Sequence, residues 1–426
     1  MAYPTAPQAQ LENLNKTKKI IFLTILIFFL VSSIRGLAQT KPALSFYTKK
    51  QKGFGFVTSD SVFSLNFQFR MQNRAAYITK SETDLAPEAF EFRVRRLRMK
   101  FTGFVINPKI TYYFQLGFSR GDMDWRGPDN NKVNNSPNII RDAVIYYNPN
   151  SKLRLGFGQT KLPGNRQRVV SSGDQQFFDR SIVNARFTWD RDFGFFGHYT
   201  TPYVILRGAL TSGEGRNAEL SNNGLAYTGR VELLPFGKFT GENDYQEGDL
   251  EREEKLKVSL AATYSQNDKA LRQQGQLGND LYESRTLEAI EFDLLAKYNG
   301  WAWYSEFMNR TTGNPITVNP NNVSQISAVN AGQGFMSQMS YLFKNNFEVA
   351  GRYAMTQPSS KLYDNPEAPS LNEKQIENYE LGVTRYFNGH RLKVQGGLMY
   401  SKLTDLRTDS LAGAYWSTVF QVELGI

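Results

Sequence analysis

The chain has 426 residues, of which 40% are hydrophobic and 14% aromatic, and its formal net charge is +10. It contains no cysteine and two histidines, which excludes a disulfide framework, a thiolate metal site and a cysteine nucleophile. The mean hydropathy of −0.47 excludes a helical membrane protein, so the pattern along the chain has to explain why 31 Phe and 22 Tyr accompany a polar average.

The amino-terminal segment has the three parts of a secretory signal. Basic residues up to Lys19 precede an apolar stretch at 20–31, and small residues follow at Gly36 and Ala38. The stretch is too short to span a bilayer, which needs about 20 residues; the alternative is an uncleaved anchor. Secretion without cysteine points to a bacterial envelope.

We therefore predict three regions: a signal peptide at 1–38, an N-terminal lead-in segment at 39–60, and one domain at 61–426. Cleavage after Ala38 leaves 46 basic and 39 acidic residues, a net charge of +7. The mature chain is thus mildly basic.

Apolar and polar residues alternate along most of the mature chain. Apolar side chains occupy the odd positions of 63–71 and the even positions of 110–118 and 416–426, apart from Thr418. Successive side chains of a strand point to opposite faces, so each of these segments has one apolar and one polar face. A soluble sandwich and a membrane barrel both satisfy this pattern.

The connections favour the barrel. Short joins such as 107–109 and 148–151 alternate with long ones such as 161–190 and 357–374. Short turns at one rim and long loops at the other are typical of outer-membrane barrels. We count about 16 strands, although the join at 236–254 is too long for the short-turn rim and leaves the count open by two.

Two local features fit this interpretation. The apolar parity changes within 89–106, which predicts a β-bulge near Arg95 and Arg96. Aromatic residues near strand ends on the apolar face predict interfacial girdles; these are Tyr112, Tyr147, Tyr264, Trp301, Trp303, Tyr353, Tyr400 and Trp416.

The inward faces of the predicted barrel carry more basic than acidic residues. The basic set comprises Arg70, Arg96, Arg98, Lys100, Lys152, Arg154, Arg207, Arg230, Lys257, Lys297, Arg352, Arg385 and Lys393. An excess of fixed positive charge concentrates anions in a channel. The alternative is that these groups pair with acids on neighbouring strands.

The long join at 161–190 contains adjacent Phe177 and Phe178 and several charged residues, a composition that disorder avoids. We predict that it folds into the barrel as a constriction loop. The predicted anion-contacting residues are Arg96, Arg98, Lys100, Arg154, Lys161, Arg166, Arg168, Arg180 and Arg191.

Catalytic signatures are missing from the sequence. It has no nucleophile elbow, no phosphate loop and no paired-histidine metal motif. His198 falls on a predicted inward face and His390 in a tight turn. We predict no enzymatic activity, no metal and no cofactor.

Several motifs resemble the phosphate-selective porin O and P family of Gram-negative outer membranes. They lie at 92–103 (FRVRRLRMKFTG), 141–147 (RDAVIYY), 158–163 (GQTKLP) and 191–194 (RDFG), and the stretch at 245–252 resembles Bacteroidetes-type members. The resemblance is strongest over roughly 60–260. It implies a sixteen-stranded trimeric porin whose third extracellular loop folds inward and which passes phosphate or other small anions.

The sequence thus predicts an all-β, transmembrane antiparallel β-barrel in the outer membrane of a Gram-negative bacterium. Its predicted function is passive diffusion of small anions, with membrane lipid, lipopolysaccharide and two further copies of the chain as partners and no nucleic acid. The alternatives are a general or saccharide-passing porin and a non-conducting structural or adhesive barrel.

Overall fold

A computed structural model describes residues 44–49, 53–119, 139–218, 224–365, 368, 371 and 373–426. The predicted signal peptide at 1–38 lies outside these residues. Residues 46–57 and 61–426 belong to one compact unit, and the described residues 44–45 and 58–60 belong to another.

Most of the described residues lie in strands. The strands are β1 (Leu44–Lys49), β2 (Gly53–Thr58), β3 (Ser64–Thr79), β4 (Pro87–Val105), β5 (Asn107–Gly117), β6 (Ile140–Tyr147), β7 (Leu153–Lys161), β8 (Arg191–Thr200), β9 (Val204–Thr211), β10 (Ala226–Leu233), β11 (Lys257–Arg272), β12 (Asp280–Tyr298), β13 (Trp301–Thr311), β14 (Ile316–Asn319), β15 (Asn322–Ala328), β16 (Gly332–Leu342), β17 (Phe347–Pro358), β18 (Gln375–Asn388), β19 (Leu392–Asp405) and β20 (Ser410–Gly425). Short helices lie in the connections: α1 (Arg166–Val169), α2 (Ile182–Phe187), a 3₁₀ helix (Thr240–Tyr245) and α3 (Ser360–Tyr363).

Sixteen strands close into an antiparallel barrel. Each strand from β3 to β12 pairs with its successor, β13 pairs with β16, and each strand from β16 to β19 pairs with its successor. The last strand pairs with the first, from Gly425↔Arg70 to Ser417↔Ile78, which removes the sheet edges. The predicted barrel of about 16 strands is confirmed. Strands β14 and β15 form a separate hairpin in one long connection.

The alternation of apolar and polar residues gives the barrel wall an apolar outer face and a polar inner face. In β10, Tyr227, Val231 and Leu233 are 45–49% exposed, whereas Arg230 and Glu232 are no more than 2% exposed. The apolar side chains therefore point outward and the polar ones into the lumen, the reverse of a soluble sandwich. This arrangement explains how a polar average coexists with many aromatic residues.

One predicted inward residue faces outward. Arg385 lies on the same face of β18 as the exposed Leu381 and Val383. Its guanidinium lies 5.6 Å and 5.7 Å from the ring centroids of Phe347 and Phe387, close to the short-turn rim. A long basic side chain at the edge of an apolar belt can cover aromatic surface and still reach water, and alternation alone does not identify that case.

The parity change in β4 arises from the predicted bulge. Gln72 pairs with Arg96 and Asn73 with Val94, so Arg95 is the extra residue. The bulge brings both Arg95 and Arg96 close to the same inward segment, as described below. Within the described residues, no helix is long and apolar enough to cross a membrane.

The connections at the short-turn rim follow the predicted rhythm, with one exception. Both barrel termini lie at the rim of short turns, where most joins have five residues or fewer. The exception is 234–256, between β10 and β11. This join does not change the count of sixteen strands, because its only regular element is the 3₁₀ helix, and it folds against the inside of the barrel.

Candidate functional site

The connection between β7 and β8, residues 162–190, is the constriction loop. It enters the lumen as predicted, and Leu162, Val183, Phe187 and Trp189 on it are at most 1% exposed. Ser181 is the N-cap of helix α2, and its side chain accepts a hydrogen bond from the Asn184 N–H. Apolar packing and capping therefore give the loop a defined path within a polar lumen.

Several wall residues hold the tip of the constriction loop through its backbone. Lys393 Nζ donates to Gly173 O at 2.8 Å. Thr384 Oγ1 and Gln395 Nε2 donate to Gln176 O at 3.0 and 2.7 Å. These bonds satisfy carbonyl groups that would otherwise be buried without partners. They attach the tip to β18 and β19.

Glycines on the wall make room for the two aromatic residues of the tip. A Cβ added to Gly397 would lie 2.2 Å from a ring carbon of Phe178, and one added to Gly382 would lie 3.1 Å from the ring of Phe177. The neighbouring Gly396 has nothing within 4 Å of such a Cβ. Glycine at 397 is therefore required for the seating of the loop.

Arg166 ties the constriction loop to the β10–β12 part of the wall. Its guanidinium donates to Glu232 Oε2 and Asp293 Oδ1, each at 2.8 Å, and its side chain is 2% exposed. Burial opposes the charge of Arg166, but the carboxylates of Asp293 and Glu232 outweigh it and raise the pKa of the guanidinium. Arg166 is thus a buried tether whose charged partners lie on β10 and β12.

Three arginines on the barrel wall bind the carboxylate of Asp179, which lies on the constriction loop. Arg95 Nη2 and Arg96 Nη2 lie 3.0 and 3.1 Å from its Oδ1, and Arg74 binds its Oδ2. Burial would raise the pKa of Asp179, but Arg96, Arg95 and Arg74 hold it well below the usual range for a carboxyl. The bulge at Arg95 makes this convergence possible, because Arg95 and Arg96 reach the same carboxylate.

Next to Asp179 the positive charges outnumber the negative ones. Arg180 donates to Gln167 O and Val170 O at 2.7 and 2.8 Å. Burial and the like charges of Arg168, Arg96 and Arg98 lower the pKa of Arg180 well below its ordinary value. The electrostatic potential around Arg180 is therefore positive, and a bound anion would reduce the repulsion between these guanidinium groups.

A cavity of about 110 Å³ lies between the loop and the wall of β3 to β5. Its basic lining consists of Arg70, Arg98, Lys100, Lys161 and Arg391, and its acidic lining consists of Asp174 and Glu423. The Lys100 Nζ lies 5.6 Å from the ring centroid of Tyr113, and Lys161 Nζ donates to Val169 O at 2.7 Å.

The nine residues predicted to contact anions divide into three groups. Arg98, Lys100 and Lys161 line this cavity, which we call the gap. Arg96, Arg168 and Arg180 do not line it but lie near Arg98, and Arg168 is paired with Asp190 while Arg96 is paired with Asp179. The other three are Arg154, which is exposed at the short-turn rim beside Tyr146, Arg166, and Arg191, which is 2% exposed and paired with Asp142 and Asp190.

Sequence reasoning did not assign Asp179, Arg74 or Arg95 to the site. The only available signal was the bulge, which places two adjacent arginines near one another. In the part of the chain that the structure describes, His, Asp and Glu side chains form no group of three that could hold a metal ion.

Solved structures share this architecture at low sequence identity. The outer membrane channel DcaP of Acinetobacter baumannii is 10% identical with a TM-score of 0.54, covering 87% of this chain and 99% of that one. An anion-selective porin from Comamonas acidovorans is 11% identical with a TM-score of 0.51, covering 85% and 100%. OmpT of Vibrio cholerae, in a form described as a trimer, is 8% identical with a TM-score of 0.50, covering 86% and 100%.

The family comparison covers most of the barrel. A family profile described as "Phosphate-selective porin O and P" matches residues 65–413, whereas no curated protein sequence matches. The matched range runs from β3 into β20 and includes the constriction loop and both sides of the gap. The chain is an outer-membrane porin that belongs to the phosphate-selective porin O and P family.

Proposed function

We propose that this porin passes small oxyanions, phosphate among them, by passive diffusion through the gap between the constriction loop and the β4–β5 wall. The observation that carries the proposal is that Arg98, Lys100 and Lys161 line that gap, with Arg96, Arg168 and Arg180 close to Arg98. No catalytic step and no cofactor enter the proposal.

Positive charge in a narrow, low-dielectric passage raises the local concentration of anions. Guanidinium groups also present forked donors that match phosphate and carboxylate oxygens. Arg98 already donates to Ser172 Oγ at 2.9 Å, and Arg96 donates to Gln72 Oε1 at 2.8 Å. A passing oxyanion would therefore exchange with protein partners, which keeps its binding weak enough for release.

Acidic residues limit the strength of this preference. Asp179 offsets part of the charge of three arginines, and Asp174 and Glu423 border the cavity. We therefore propose a preference for anions rather than a tight phosphate site. A general or saccharide-passing porin would show little preference between small anions and cations.

The proposal is tested by competition between phosphate and chloride in planar bilayers. Phosphate added to a chloride current should lower the single-channel conductance, because phosphate binds longer at the guanidinium cluster. Arg98→Gln and Lys100→Gln should weaken this block. The matched control is Lys402→Gln, because Lys402 lies 42% exposed on β19 beside Glu377 and away from the cavity. Equal block in all four proteins would contradict the proposal.

We further propose that the porin is a homotrimer whose outward apolar belt contacts outer-membrane lipid, with lipopolysaccharide around the long-loop rim. The support comes from the trimer form described for OmpT of Vibrio cholerae and from the exposed apolar face of the wall. Cross-linking of detergent-extracted protein should give a limiting band of three chains. A limiting band of one chain would contradict the trimer.

A further inference from the structure

The join at 234–256, which we name the inward turn, is attached to the inside of the wall. Lys297, which is 1% exposed on β12, donates from Nζ to Asn243 Oδ1 at 2.9 Å and to the carbonyls of Asn243, Gln246 and Gly248. An ammonium group that is enclosed by carbonyl oxygens fixes the backbone around it, because each donor is paired and buried.

A second set of bonds anchors the end of the inward turn at the short-turn rim. Asp249 is fully buried and accepts from Gly300 N at 2.8 Å. Arg252 Nη1 donates to Leu342 O at 3.0 Å. These contacts join the inward turn to β12, β13 and β16, so its fold depends on the barrel wall.

The inward turn also meets the constriction loop. Glu247 N donates to Asp174 O at 2.7 Å, and Gln176 N donates to Glu247 Oε2 at 3.1 Å. On the other side, Arg166 Nη1 donates to Asp244 O at 3.0 Å. The cavity bordered by the two segments and by β12, β13 and β16 measures about 20 Å³, close to the ~10–15 Å³ that one water needs. This cavity is too small for a phosphate-sized solute.

His390 links the two segments through the wall. Its Nε2 lies 3.1 Å from Glu247 O, and its Nδ1 lies 3.2 Å from the Nζ of Lys393, the residue that holds the loop tip. An ammonium only donates, so Nδ1 accepts and the neutral ring donates from Nε2 to Glu247 O. The same pair of side chains therefore positions both the loop and the inward turn.

We propose that the inward turn is a second constricting segment, which joins the constriction loop to form a partition inside the barrel. The partition closes the lumen beside β12, β13 and β16 and confines passage to the basic wall from β3 to β9. Lys297 and His390 act as positioning residues. The claim that solutes are guided to the basic wall rests on the proposed function, whereas the claim that the inward turn narrows the lumen does not.

A second open space lies on the side of the inward turn that faces β6 to β9, as expected if the inward turn partitions the lumen. A cavity of about 520 Å³ lies between the turn and the rim of β6 to β9. Its wall carries Lys152, Arg154, His198 and Arg207, and the turn contributes Lys238 and Glu242. This cavity would be the exit from the narrow gap at the short-turn rim.

The first test replaces residues 236–254 with Asn-Gly, which favours tight turns and shortens the join between β10 and β11 to six residues. The single-channel conductance should rise, on the order of twofold, because the partition no longer reduces the open cross-section. Lys297→Met should raise it by a smaller factor. Lys402→Met is the control and should leave the conductance unchanged.

Folding of these variants is judged by heat-modifiable mobility in gels. A third variant tests the partition even if the first two do not fold. The native chain contains no cysteine, so Lys238→Cys introduces a single exposed thiol on the inward turn. A negatively charged thiol reagent should reduce the current through Lys238→Cys and leave Ser410→Cys, at the other rim, unaffected.

The partition is overturned if the folded turn-replacement variant keeps the wild-type conductance. If that variant does not fold, an unchanged Lys238→Cys current after reaction with the reagent overturns it. Ion preference is measured separately in the same membranes. A cation-preferring wild type with larger conductance after removal of the turn would refute the proposed function and retain the partition. An anion-preferring wild type whose conductance is unchanged after removal of the turn would retain the proposed function and refute the partition.

Discussion

Asp179→Asn is the substitution that most directly changes the charge of the gap. Asp179 is paired with Arg74, Arg95 and Arg96, and its pKa is held low, so it is ionised at neutral pH. Asparagine keeps the size and one acceptor oxygen but removes the negative charge. The tip of the loop should remain seated, because Lys393, Thr384 and Gln395 still bind its backbone carbonyls.

The magnitude follows from the distance between the carboxylate and a passing ion. For an ion about 8 Å away in water, one unit charge is worth about 0.5 kcal/mol, a factor of about 2.4 in population. The gain for an anion and the loss for a cation multiply, giving about a sixfold change in the permeability ratio without screening. Salt at ~0.1 M reduces this to about twofold.

The assay is the reversal potential of single channels in a KCl gradient, measured for wild type and Asp179→Asn. The ratio of anion to cation permeability should rise by about two- to sixfold. The matched control is Asp409→Asn, which removes the same charge at an exposed position whose positive φ of 49° asparagine tolerates. An unchanged or lower ratio for Asp179→Asn would refute the placement of Asp179 beside the permeation path.

Three further predictions concern the seating of the loop and the inward turn. Arg166→Met leaves Glu232 and Asp293 buried with Arg230 as their remaining shared partner, and it should cost about 1–3 kcal/mol of stability, measured as a lower thermal midpoint of heat-modifiable mobility. The exposed Arg154→Met should cost less than ~1 kcal/mol, and equal midpoints would contradict the tether. Gly397→Val should displace Phe178 and change the conductance, whereas Gly396→Val should not; equal effects would show that the loop does not lie on Gly397. Burial and Lys393 hold the pKa of His390 well below 6.5 in the folded protein. As the pH drops below about 6.5, His390 therefore takes up a proton in the unfolded chain before it does so in the folded one, and the stability should fall. His390→Gln should reduce this pH dependence, and an identical pH profile would contradict a buried neutral imidazole.

The barrel and its bulge could be predicted from the sequence because both depend on local order. Alternation fixes which face of a strand is apolar, and the shift of parity between Val94 and Leu97 requires one extra residue. The inward course of 162–190 was also predictable, because a long connection rich in aromatic and charged residues needs buried partners.

The partners within the lumen could not be predicted in this way. Asp179 binds arginines that lie more than 80 residues away along the chain, and Arg166 binds Asp293 across the barrel. Period-two reasoning identifies inward side chains but not the strand that each one reaches. The same limit applies to the inward turn, whose position depends on Lys297 and His390 rather than on its own pattern.

The most direct test of the central claim is the sign of the reversal potential for the wild-type porin in a planar bilayer with a KCl gradient. Excess positive charge at Arg96, Arg98 and Arg180 predicts that chloride carries more of the current than potassium. The potential should therefore shift toward the equilibrium potential of chloride. A shift toward the equilibrium potential of potassium would contradict passage of anions along the basic wall.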